Sequence, residues 1–133
     1  MRRSPGITAK WLLFLSASIL AAGSSVHGIA YAKAAAVTEH SSLPPFYQAA
    51  LKGLWLSDAL SSLLLAVALA SIAAQPRLAG KPLLFLLALI PLAMAIVLFS
   101  MMGNFAPGYL NLIAAISALL AVALRPAFAM IDK

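Results

Sequence analysis

The sequence predicts an all-α integral membrane protein, a bundle of four transmembrane helices with both termini in the cytoplasm. Three observations carry that expectation. Of the 133 residues, 64% are hydrophobic and 9% are charged, whereas a soluble domain carries about 25% charged residues. Such a chain cannot cover a water-facing surface, and its mean hydropathy of +1.03 agrees. The apolar residues fall into four runs of about 20, the length needed to cross a ~30 Å hydrocarbon core as helix. The nine Lys and Arg sit at the ends of those runs, where cations set topology rather than bind nucleic acid.

The first run follows the basic flank Arg2, Arg3 and Lys10 and covers about 11–31. Ala34 to Val37 can carry the same helix outward. A signal peptide is the alternative here, with an apolar region over Trp11 to Ala22 and an Ala30-Tyr31-Ala32 cleavage pattern. The run is read as a retained span. Residues 32–52 are the most polar segment. Within them, Ser42-Leu43-Pro44-Pro45 is a helix start, because proline is tolerated in a first turn. The second helix then covers about 45–74, ~45 Å at 1.5 Å per residue, and exceeds the hydrocarbon thickness. It must tilt or protrude.

Gln75-Pro76-Arg77-Leu78-Ala79-Gly80-Lys81-Pro82 ends that span and begins the next. The third helix covers about 83–102 and holds Pro91 at its middle, which removes the bond to the Leu87 carbonyl and predicts a kink. Gly103-Asn104-Phe105-Ala106-Pro107-Gly108 is an uncharged hairpin, and the fourth helix covers about 107–124 before Arg125-Pro126. With the N-terminus inside, Arg2, Arg3, Lys10, Arg77, Lys81, Arg125 and Lys133 are cytoplasmic, and only Lys33 and Lys52 lie outside. Seven cations against two satisfy the positive-inside rule.

Four polar residues stand out against this apolar background. Asp58 opens a long apolar run, at a cost of roughly 2.5–3.5 kcal/mol for an intramembrane carboxylate. Counting from Tyr31, His27 lies ~6 Å below the outer boundary, and Asp58 lies ~7–8 Å below it if α-helical entry is near Gly53. Asn104 is in the outer hairpin and Asn111 is about one turn into the fourth helix. His27, Asp58, Asn104 and Asn111 therefore reach one level in the outer leaflet. Ser24 shares a face with Ser16, Leu20, His27 and Tyr31, and Ser61 and Ser62 share one with Asp58. Ser24 and Gly28 form a small-xxx-small pair suited to close helix contact.

Each of these has a plainer structural reading. Asp58 can be held by neighbouring hydroxyls, His27 and Asn111 can be interhelical hydrogen-bond donors, and Asn104 can close its turn. Trp11 and Trp55 fit interface anchors. The chain has no Cys and two His, so no metal site or cofactor is expected. Hydrolytic triads, phosphate loops and paired carboxylates are absent.

Leu43-Pro44-Pro45, then Leu54-Trp55-Leu56-Ser57-Asp58, then Gly103-Asn104-Phe105 and Gly108 together resemble small four-helix membrane proteins of bacteria. In general layout the chain also resembles the DoxX-like group. The resemblance implies a bacterial inner-membrane location and defines no activity. The small multidrug-resistance transporters share the size and helix number, but their signature glutamate in the first helix is missing here. The expected function is a non-enzymatic accessory or scaffold subunit, or a binder of a lipid-like ligand, with membrane lipids, a membrane subunit or a second copy as partners. The alternative is a small proton- or ion-coupled transporter, dimeric in one version, that uses Asp58.

Overall fold

The computed structural model describes residues 5–125, and they form four helices: α1 (Pro5–Glu39), α2 (Pro45–Ala74), α3 (Lys81–Met102) and α4 (Ala106–Leu124). A short 3-10 turn, Pro76–Leu78, lies between α2 and α3. No strand occurs among the described residues. All four helices are long and apolar enough to cross a membrane. The Arg2-Arg3 flank and the tail from Pro126 lie outside the described residues.

The first helix is longer than the expected 11–31. No Gly or Pro interrupts the chain between Ala30 and Glu39, and Ala34-Ala35-Ala36 are strong helix formers. The helix ends only at the Ser41–Pro44 turn, where Ser41 Oγ donates to the Thr38 carbonyl at 2.6 Å. Prolines open the other helices: Pro45, Pro82 and Pro107 stand in first turns, where a missing N–H costs nothing. α3 runs on through Pro91, which is buried. Gly103, at φ 66°, ends α3 in a backbone conformation that suits glycine.

Short connections make two antiparallel hairpins, α1–α2 and α3–α4. They join along α1 and α4, giving the spatial order α2, α1, α4, α3. The core lies toward the end that carries residue 5, the 75–80 linker and Arg125. There Leu13, Ala17 and Leu20 of α1 meet Leu69 of α2, Leu84 of α3 and Ala118 of α4. Ala114, Ala118 and Ala121 are fully buried along α4. Such small side chains let helix backbones approach, and in lipid that close packing replaces the hydrophobic drive. Gly108 serves the same end between α4 and α3: a Cβ there would sit 2.8 Å from Phe99 Cε1.

Two buried polar groups complete this end. Arg125 is buried and its Nη2 donates to the Pro76 carbonyl, tying the end of α4 to the linker after α2. Burial lowers the pKa of the guanidinium, which still stays charged at neutral pH. Ser16 is 0% exposed and its Oγ has no hydrogen-bond partner among the described residues. An unsatisfied buried hydroxyl costs about 1–3 kcal/mol. Ser16→Ala is therefore expected to stabilise the protein by about 1 kcal/mol, read as a higher midpoint in detergent unfolding. A lower midpoint would show that the hydroxyl is bonded.

The hairpins differ in height. At 35 and 30 residues, α1 and α2 extend ~52 and ~45 Å at 1.5 Å per residue. With 22 and 19 residues, α3 and α4 extend ~33 and ~28 Å. The α1–α2 hairpin therefore overshoots its neighbour at the end opposite the core.

Candidate functional site

The polar residues of α1 and α2 meet where the two helices leave the shelter of α4. Ser24 is buried and its Oγ donates to the Ala59 carbonyl at 2.6 Å. One turn along, the His27 ring stacks on Trp55, with centroids 4.1 Å apart and planes 23° apart. The Trp55 indole N–H donates to the His27 carbonyl at 2.8 Å. His27 Nε2 lies 3.6 Å from Asp58 Oδ2, an ion-pair distance for a protonated imidazole and too long for a hydrogen bond. Both side chains are about one-third exposed, at 32% and 38%.

Helical spacing builds this cluster. Ser24 and His27 stand at i, i+3 on α1. Trp55, Asp58 and Ala59 stand at i, i+3, i+4 on α2, so each set shares one face. Sequence alone places Trp55 in the interface belt and leaves it out of the site. The signal that joins it is its spacing, three residues before an intramembrane Asp on the same helical face.

The other candidates separate from this cluster. Asn104 accepts a hydrogen bond from the Tyr109 hydroxyl at 3.0 Å and so closes the α3–α4 turn. Asn111 Nδ2 donates to the Pro107 carbonyl of its own helix at 3.0 Å, not across helices. A carbonyl one turn back is always within reach of a short amide side chain. Ser61 is exposed and makes no hydrogen bond with Asp58. Gly28 is exposed, and a Cβ there would meet nothing within 4 Å. The contact line on α1 turns from Ser24 to His27 because Trp55 stacks there.

Beyond Trp55, a groove of about 490 Å³ opens between α1 and α2. It is lined on α1 by residues between Ala30 and Thr38, and on α2 by Leu51, Lys52 and Trp55. Alanines face it at positions 30, 34 and 35, and their small side chains leave the space. The tip above is closed by an ion pair, Lys52 Nζ to Glu39 Oε1 at 2.9 Å. His40 Nδ1 lies 2.8 Å from the Ala36 carbonyl, and Gln48 Nε2 donates to the Leu43 carbonyl at 2.9 Å.

Among the described residues no three His, Asp or Glu side chains gather to hold a metal. The arrangement offers one acid–imidazole pair, one stacked indole and an apolar groove with cations at its wall. Fold and site together define a multi-pass helical membrane protein with a polar contact at one end. No protein-family model, curated protein or solved structure matches the chain.

Proposed function

We propose that this chain is a non-enzymatic protein of a bacterial inner membrane that binds a lipid-like ligand at the far end of the α1–α2 hairpin, as an accessory or scaffold subunit. The observation that carries it is the groove beside the His27–Trp55–Asp58 cluster, open along its length and lined mainly by apolar side chains. The seven-to-two distribution of cations supports an orientation with both termini in the cytoplasm and the His27–Trp55–Asp58 cluster in the outer leaflet, the groove opening at its surface. The DoxX-like layout noted in the sequence belongs to the same proposal.

Extraction in a mild detergent, followed by native mass spectrometry, is expected to retain one amphiphile per chain, lost on harsher delipidation with a fall in thermal stability. A stripped chain of unchanged stability would remove the ligand from the proposal. Because the natural chain has no Cys, orientation has a clean readout. Ser42→Cys should react with an impermeant thiol reagent on intact cells and Arg77→Cys only after lysis; the reverse pattern inverts the topology.

The His27–Asp58 pair favours one further reading, proton- or ion-coupled transport through Asp58. Asp58→Asn removes an intramembrane carboxylate charge and keeps the side-chain shape, so the variant should fold and be no less stable than the parent. Loss of a pH-dependent flux in liposomes with that variant would establish the transporter instead.

A further inference from the structure

We infer that the tip side of the groove between α1 and α2 seats an acidic amphipathic helix of a partner protein, on the outer face of the membrane. This deepens the accessory-subunit part of the reading above and rests on it; the lipid-like ligand of that reading belongs on the bilayer side of the groove, at Trp55. The groove continues the helical faces that pack the core. Leu51 lies about five turns from Leu69 on one face of α2, and Ala35 and Thr38 lie about five turns from Ala17 and Leu20 on one face of α1. Leu69, Ala17 and Leu20 are buried, whereas Leu51 is 47% exposed. The difference arises because the shorter α3–α4 hairpin does not reach this level, and the groove is lined by α1 and α2 alone. A place for a third helix is laid out there and left open.

Depth and chemistry select the occupant. With the outer boundary near Tyr31 and Gly53, the wall formed by Ala34, Ala35, Val37 and Leu51 stands beyond it, in water and out of reach of an acyl chain. An apolar wall in water gains from being covered. Both sides of the groove are unbroken helix, so they offer no strand edge to an extended peptide, and a partner must bond its own backbone as helix. From Lys33 to Thr38 the lining runs ~8 Å at 1.5 Å per residue, room for apolar anchors at i and i+3 or i+4. Charge then sets the rim. Lys33 makes no ion pair among the described residues. Lys52 gives one N–H to Glu39 and, as an ammonium, keeps two more. Two cations against one carboxylate leave the groove with a net positive charge, which suits a helix with Asp or Glu beside its apolar row. A second copy of this chain is the wrong match, since it brings the same cations to the same level.

Photo-crosslinking of the full chain, in the cells that make it, tests this. With p-benzoylphenylalanine in place of Leu51, illumination should join the chain to one other polypeptide. Peptide mass spectrometry should place the joined residue in a segment whose apolar residues recur at helical spacing with Asp or Glu within one turn. The same probe in place of Leu64, exposed on the transmembrane part of α2, should join no polypeptide. Lys33→Glu, at an exposed position, should lower the yield about tenfold by turning an attraction into a repulsion, with thermal stability unchanged. Ala35→Leu should also lower it, by filling the groove. A joined segment without an acid, or a yield unmoved by Lys33→Glu, overturns the acidic assignment and leaves the accessory role standing. A joined second copy of this chain overturns the partner and assigns a dimer. Adducts to lipid alone, or no adduct, overturn the docking site, while the lipid-like ligand stands or falls on the native mass spectrometry above. A chain that joins nothing at Leu51 and retains nothing on extraction loses both.

Discussion

Leu69→Ala is expected to cost about 2–3 kcal/mol of stability, the low end of the range for leaving a cavity in place of a buried leucine side chain. Leu69 is 0% exposed in the cluster that joins α2 to α1 and the 75–80 linker. In lipid the truncated chain still excludes water, so the loss is one of packing: the contacts that a buried leucine makes have no replacement. Reversible unfolding in mixed micelles reads the difference directly. Leu64→Ala, at a position 69% exposed on the same helix, is the control and should change stability by less than about 0.5 kcal/mol. Equal effects at both positions would mean that α2 does not pack as described.

Trp55→Ala comes next, at about 2 kcal/mol. The sum has two parts: the N–H bond to the His27 carbonyl, about 1 kcal/mol net, and the ring stack, about 0.5–1.5 kcal/mol. Trp55→Phe separates them, since it keeps a stacking ring and loses the donor, and should show about half the loss. The hairpin tip should also open in Trp55→Ala, seen as faster proteolysis near Ser41–Pro44. A Trp55→Phe variant as damaged as Trp55→Ala would assign the whole effect to the hydrogen bond.

Much of the fold is legible in the sequence because the bilayer imposes it. Run lengths near 20 residues, bounded by Pro, Gly and cations, fix the four helices with little ambiguity. The excess length of α2 is legible for the same reason. The pairing of His27 with Asp58 can be read from depth alone, since both positions count inward from one boundary. Which helices touch cannot. Leu64 and Leu69 are equally apolar, yet one faces outward and the other is buried, because lipid accepts the same side chains as a helix interface. The α1–α4 contact is therefore invisible in the sequence. Asn104 closes its turn, as its place between Gly103 and Gly108 suggests, whereas the partner of Asn111 is hidden for another reason: it lies in its own helix, a local option that depth does not weigh.

The order α2, α1, α4, α3 has a bearing on biogenesis. Helices enter a membrane in the order they are made, so the α1–α2 hairpin can settle as soon as its turn has emerged. The other flank of α1 waits against lipid until α4, the last of the four described helices, arrives. Assembly of the four-helix bundle is thus held open until α4 has been made. A chain stopped after α3 would present a ready-made seam to any passing helix with a comparable row of alanines.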